Sequence, residues 1–193
     1  FVTGASNGVG MAVVRKAIEQ GAKVFMVDDH EEHLQKIQNE MRVLDFPTAY
    51  AVADVAEADQ LQVAADQCIA TFGTIDTWIN NATISLYGRI LETKETEARR
   101  LFDTNFWGVV NGCQVAAGIF KNSGGTIINM GGCWSQKTMP IQGLYCASKE
   151  AVRAFTNSLR DELKDENYPV SVSLVLPEDS DRVYLPDIVA ETV

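Results

Sequence analysis

A parallel, doubly wound α/β sheet with helices on both faces is what this chain of 193 residues predicts. Short apolar runs alternate with amphipathic stretches from one end to the other. Most of the runs lack period-two alternation, as expected for strands covered on both faces. No linker, internal repeat or low-complexity tract interrupts the pattern, so a single domain over residues 1–193 is expected.

The elements follow in order. Phe1–Thr3 reads as the tail of a strand, and "TGASNGVG" at residues 3–10 as the loop after it. Glycines at 4, 8 and 10 permit a tight turn and close approach of backbone to a ligand. The helix that follows, Gly8–Gln20, would offer its unpaired N–H groups and positive dipole end to a pyrophosphate. Taken alone, the same loop is a tight turn capping a helix, and Gly21 is placed to cap the far end. Lys23–Val27 forms the second strand and delivers Asp28 eighteen residues past Gly10. A carboxylate there can bond both ribose hydroxyls of an adenosine and repel a 2′-phosphate. Asp29 adds a second negative charge, so NAD(H) is expected over NADP(H).

"HEEH" at residues 30–33 lacks the His-Glu-x-x-His arrangement and reads as the start of a surface helix, with no metal expected. Strands at Thr48–Val52 and Thr77–Ile79 flank a helix over Asp59–Phe72. "ETKETEARR" reads as a solvated helix start of balanced charge. The longest apolar stretch, "FWGVVNGCQVAAGIF", is broken by asparagine, glutamine and glycine and reads as a buried helix rather than a membrane span. Thr126–Met130 and Ser171–Leu176 complete the strands. Between them a helix carries Val152, Phe155, Leu159 and Leu163 as one apolar stripe. On that helix Tyr145 and Lys149, four residues apart, share a face. A free phenol ionises near pH 10, and an ammonium beside it favours the phenolate, which would suit it to proton transfer. By itself the pair could equally be an exposed helix contact.

A net charge of −10 excludes a phosphate backbone as partner, since no basic excess exists to release counterions. Cys68, Cys113, Cys133 and Cys146 show no paired short spacing, which argues against a zinc site or a disulfide framework and fits a reducing cytoplasm. Neither a signal peptide nor a run of membrane-spanning length is evident, so no membrane partner is expected.

Together these motifs resemble the short-chain dehydrogenase/reductase family over nearly the whole chain. Thr3-Gly4-x-x-x-Gly8-x-Gly10 matches its cofactor loop, and Asp54-Val55 its Asp-Val pair beside the adenine. Asn80-Asn81-Ala82 is similar to its Asn-Asn-Ala-Gly element, Asn105 in "DTNFWG" to its helical asparagine, and Tyr145-x-x-x-Lys149 to its catalytic pair. The resemblance implies a Rossmann-type domain that passes hydride between nicotinamide and a substrate carbon. In that chemistry Tyr145 exchanges a proton with the substrate oxygen. Lys149 holds the nicotinamide ribose and lowers the tyrosine pKa, and Asn105 holds a water that relays protons. The implied cofactor-binding residues are Gly4, Ser6, Asn7, Gly8, Val9, Gly10, Asp28, Asp29, Asp54, Val55, Asn81, Ala82, Tyr145, Lys149 and Pro177.

The chain also departs from the family. Gly132 stands thirteen residues before the tyrosine, where the family has a serine that bonds the substrate oxygen. Ser135, Cys133, a backbone N–H or a water could substitute. A dinucleotide-binding sensor or scaffold without efficient turnover is therefore an alternative to an enzyme. Thr83 replaces the glycine of Asn-Asn-Ala-Gly, and Pro177-Glu178 replaces Pro-Gly. The family's substrate loop, expected between Glu178 and Pro186, is nearly absent, as are the start of the first strand and the final strand. Further chain is thus expected. Tyr87, Trp134, Met139 and Leu144 would suit a hydrophobic alcohol or carbonyl substrate, although loop packing or an oligomer contact explains them as well. The small residues Gly108, Gly112, Ala116, Ala117 and Gly118 fit either close internal packing or helix pairing in a homodimer or homotetramer.

Overall fold

The computed structural model describes residues 1–132 and 139–176. Cys133, Trp134, Ser135, Pro177, Glu178 and the loop expected before Pro186 lie outside these residues. Six strands form one sheet: β1 (Val2–Thr3), β2 (Val24–Asp28), β3 (Thr48–Val52), β4 (Thr77–Asn80), β5 (Gly125–Met130) and β6 (Val170–Val175). Their order is β3-β2-β1-β4-β5-β6, and every pair is parallel. The helices are α1 (Gly8–Glu19), α2 (Glu31–Val43), α3 (Ala58–Phe72), α4 (Glu95–Phe102), α5 (Gly108–Ser123) and α6 (Gly143–Asp165). Strand order reverses between β1 and β4, which opens a crevice at their carboxyl ends.

Alternate strand residues feed two separate cores. On one side Phe25, Val27, Trp78 and Ile127 meet Leu61 of α3, Val109 and Phe120 of α5, and Val152 and Leu163 of α6. On the other, Val24, Met26, Ile79 and Ile128 meet Val13, Val14 and Ile18 of α1 and Leu34 and Met41 of α2. Burial on both faces explains why the strands read as continuous apolar runs.

Element boundaries shift by one or two residues from the sequence expectation. Gly21, at φ +87°, adopts the left-handed conformation just past α1 that a helix terminator needs. A larger difference lies around Asn105. The helix expected there is divided into α4, a single π-type turn over Asp103–Trp107, and α5. Three of the small residues of α5 serve internal packing. A Cβ on Gly108 would lie 2.6 Å from Val55 Cγ2, one on Gly112 would strike the Asn80 side chain, and Ala116 is fully buried. Gly118 faces open space.

Candidate active site

The loop after β1 is held by the segment after β4. Thr3 Oγ1 donates to Ile79 O (3.3 Å) and accepts from the backbone N–H groups of Asn81 (3.1 Å) and Ala82 (3.2 Å). Asn81 Nδ2 donates to Thr3 O (3.1 Å) and Gly4 O (2.9 Å). Gly4 and Gly10 allow this contact: a Cβ on Gly4 would lie 2.6 Å from Ala82 Cα, and one on Gly10 would overlap Gly4 O. Gly8 is different. Its φ is +51°, and a Cβ there meets nothing within 4 Å. The site's cleft, about 390 Å³, is lined by Gly4, Asn7, Gly8, Val9 and Gly10 at one end and by Tyr145 and Lys149 at the other. A second hollow of about 590 Å³ lies where β2 and β4 begin, between Lys23 and Asp76, and contains none of the expected site residues.

Asp28 closes β2 at 7% exposure. Its carboxylate accepts from the N–H of Ser6 (3.1 Å) and of His30 (3.2 Å), so loop backbone fixes its orientation. Ser6 is buried, holding the loop rather than lining the cleft, while Asp29, Asp54, Val55, Asn81 and Ala82 all line it. Asp54 Oδ1 accepts from Ala56 N, and Asn111 Nδ2 of α5 donates to Val55 O and Ala56 O (both 3.0 Å). Arg100 and His30, absent from the expected site, are also here. Arg100 Nη1 donates to Asp54 Oδ2 at 2.7 Å and its other nitrogen stands 3.9 Å from Asp29. The segment "ETKETEARR" is largely exposed, as expected, but its last residue, Arg100, also lines the cleft. Arg100 and Asp54 are 46 residues apart, so no local pattern announces the pair.

The Thr104 hydroxyl, one turn beyond Arg100, is buried without a hydrogen-bond partner among the described residues and belongs to a cleft-lining residue. An unpartnered buried hydroxyl, a left-handed glycine facing open space and a pre-oriented carboxylate together fit a dinucleotide. Gly8 and the start of α1 would hold its pyrophosphate, and Asp28 its adenosine ribose.

Tyr145 and Lys149 occupy the first turns of α6. Lys149 is 2% exposed, its Nζ donates to Met130 O at 3.2 Å, and it stands 5.9 Å from the centre of the Tyr145 ring. α6 is positioned from below by a buried polar chain. Trp78 Nε1 donates to Asn80 Oδ1 (2.8 Å), Asn80 Nδ2 to Asn129 Oδ1 (2.8 Å), and Asn129 Nδ2 to Thr156 Oγ1 (2.9 Å). Cys113 joins this chain and carries no nucleophile, because burial pushes its thiol pKa up to about 12.

Asn105, at 0% exposure, does a second positioning job. Its Oδ1 accepts from Ile84 N (2.8 Å) and Thr83 Oγ1 (3.1 Å). Its Nδ2 donates to Ile84 O (2.9 Å) and to Ser148 Oγ (3.2 Å), and Ser148 in turn donates to Tyr145 O (2.7 Å). The side chain is therefore saturated by protein groups, so a relay water would have to sit on the backbone of the π-type turn. Thr83, the departure from the family glycine, adds one of these bonds. Asn105→Ala would strand buried groups of Ile84 and Ser148 and is expected to lower unfolding free energy by about 2–4 kcal/mol. Urea denaturation checks this, and a change within error would show that those groups find other partners.

Gly132 lies against the same lysine. A Cβ there would stand 3.0 Å from Lys149 Cγ and 3.1 Å from Lys149 Cβ.

Known proteins resemble this chain in sequence and in fold. The chain is 37% identical over 185 residues to YxnA, an uncharacterized oxidoreductase of Bacillus subtilis (strain 168), covering 95% of this chain and 52% of that one. The chain thus spans about half the length of that relative. A short chain dehydrogenase/reductase from Burkholderia phymatum, solved in complex with NAD, superposes with a TM-score of 0.88 at 28% identity, over 92% of this chain and 64% of the other. A metagenomic short-chain oxidoreductase in complex with NADP gives 0.88 at 27% identity, over 99% and 86%. The sequence profile of the short chain dehydrogenases matches residues 1–181, and to that family of oxidoreductases the chain belongs.

Proposed function

We propose that this protein is an NAD(H)-dependent oxidoreductase interconverting an alcohol and a ketone or aldehyde, with Tyr145 as general acid/base. One observation carries the proposal: Tyr145 and Lys149 open into the same cleft as the glycine loop and Asp28. When bound, the nicotinamide supplies or takes up the hydride. The chain's own residues do the rest. Lys149, held by Met130 O, keeps a cation near the Tyr145 ring, which favours the phenolate and suits the phenol to exchange a proton near neutral pH. Asn105 and Ser148 fix the first turn of α6, so the phenol meets the substrate oxygen in one orientation. Asp28 supports NAD(H), because a carboxylate facing the ribose opposes a 2′-phosphate. A hydrophobic substrate rests on the residue types of Tyr87, Met139 and Leu144, none of which lines the cleft, and outward-facing Gly118 with half-exposed Trp107 supports pairing of α5 in a homodimer or homotetramer. A sensor without turnover has less behind it, since Tyr145 and Lys149 share the cleft with the glycine loop and Asn105 is tied through Ser148 to the turn that carries Tyr145.

The test is NADH oxidation against a panel of ketones and aldehydes. Gly132→Ser belongs in the same series. A serine there presses on the aliphatic stem of Lys149, which must yield by a few tenths of an ångström, and by the family resemblance would bring a hydroxyl beside the reacting oxygen. A well-placed donor is worth about 10²–10³ in kcat, and strain on Lys149 consumes part of that, so a rise of about tenfold is expected. An unchanged kcat would mean that another donor already holds the developing charge. Wild type that binds NADH yet turns over no substrate while Gly132→Ser does would favour the sensor.

A further inference from the structure

The adenosine end of the cleft holds more charge than the sequence pattern suggested, and of both signs. Asp28 and Asp29 come from the end of β2, Asp54 from the loop after β3, Arg100 from α4, and His30 from the turn before α2. His30 Nδ1 stands 2.6 Å from Asp29 Oδ1 and 3.2 Å from Asp28 Oδ1. Its ring stacks on His33 of α2 at 5.6 Å. We propose that His30 and Arg100 together determine cofactor choice: protonated His30 admits a 2′-phosphate that the neutral form repels, so the protein takes NADP(H) alongside NAD(H) as pH falls below neutrality. The inference rests on the dinucleotide reading of the cleft.

The charges decide the direction. Three carboxylates against the Arg100 guanidinium leave a formal −2 around the ribose site when His30 is neutral, and protonation reduces it to −1. His30⁺ also places a donor beside the carboxylate that would otherwise repel the phosphate. The two carboxylates raise the His30 pKa, chiefly through the hydrogen bond to Asp28 and then the Asp29 charge. The cation is therefore present below that raised pKa and lost as pH rises through it. Arg100 is drawn mainly to Asp54, which leaves His30 as the cation nearest Asp28.

Calorimetric titration of the full chain with NAD⁺ and with NADP⁺, at about pH 8 and about pH 6, provides the test. The 2′-phosphate itself gains a proton near pH 6, and that contribution is common to every variant. The ratio of NADP⁺ to NAD⁺ dissociation constants is expected to fall by roughly tenfold from the higher to the lower pH in wild type, but only by about two- to threefold in His30→Gln. His33→Gln should keep the wild-type slope. His30 is exposed and makes no helix-capping bond, so the variant should fold, and circular dichroism checks that it does. Equal slopes in wild type and His30→Gln would overturn the inference while leaving the dinucleotide site standing. Failure of both dinucleotides to bind wild type would overturn the site and the inference with it.

Discussion

Tyr145→Phe is expected to lower kcat by about 10²–10⁴-fold while leaving NADH affinity close to that of wild type. Only the hydroxyl is removed. The ring stays half-buried over Lys149, whose Nζ keeps its bond to Met130 O, and the tether from Asn105 through Ser148 ends on the Tyr145 backbone, which the substitution does not touch. The readouts are therefore separable: steady-state ketone reduction follows the proton, and NADH fluorescence follows the cleft. A fall in kcat with unchanged affinity places the proton transfer on this hydroxyl. Undiminished turnover in the phenylalanine variant would remove Tyr145 from the chemistry. Because Gly132 supplies no hydroxyl to share the load, the dependence on Tyr145 should be at least as steep as in a site that has a serine donor.

What the sequence disclosed is what local spacing can encode. β1, the glycine loop, α1 and β2 follow one another along the chain, so local spacing alone points to Gly4, Gly8, Gly10 and Asp28. Tyr145 and Lys149 lie one helical turn apart, and periodicity alone puts them on one face. Contacts made across the fold stayed hidden. Arg100 reaches Asp54 from another element, and its own surroundings, rich in acids and bases, read as a solvated helix. The π-type turn at Asn105 is a tertiary feature as well. Its side chain takes up both the N–H and the C=O of Ile84, and nothing in "DTNFWG" announces that demand. π-type turns of this kind commonly occur at functional sites. The small residues of α5 fit two readings in the sequence, and the fold divides them: Gly108 and Gly112 face Val55, Trp78 and Asn80 within the chain, whereas Gly118 faces open space.

Gly10→Ala and Gly8→Ala should fail in opposite ways. At position 10 the added methyl would overlap Gly4 O and stand 2.5 Å from Asn81 Nδ2. Neither neighbour can retreat. Gly4 O is bonded to Asn81 Nδ2, and Gly4 itself, at φ +62°, is packed on Ala82. Gly10→Ala should therefore cost about 3 kcal/mol of stability, as overpacking of a closed contact does, and abolish dinucleotide binding by prying the loop from β4. At position 8 a methyl meets no atom of the described residues within 4 Å, so the cost is that of a left-handed non-glycine residue, about 1 kcal/mol. That methyl would instead stand in the cleft, in the space assigned to the pyrophosphate, and NADH affinity should fall by about tenfold or more. Thermal denaturation and NADH titration of the two variants side by side distinguish a loop that is merely tight from one shaped around a ligand. A Gly8→Ala protein that binds NADH as wild type does would mean that the left-handed turn faces solvent, and the pyrophosphate would have to be placed elsewhere along α1.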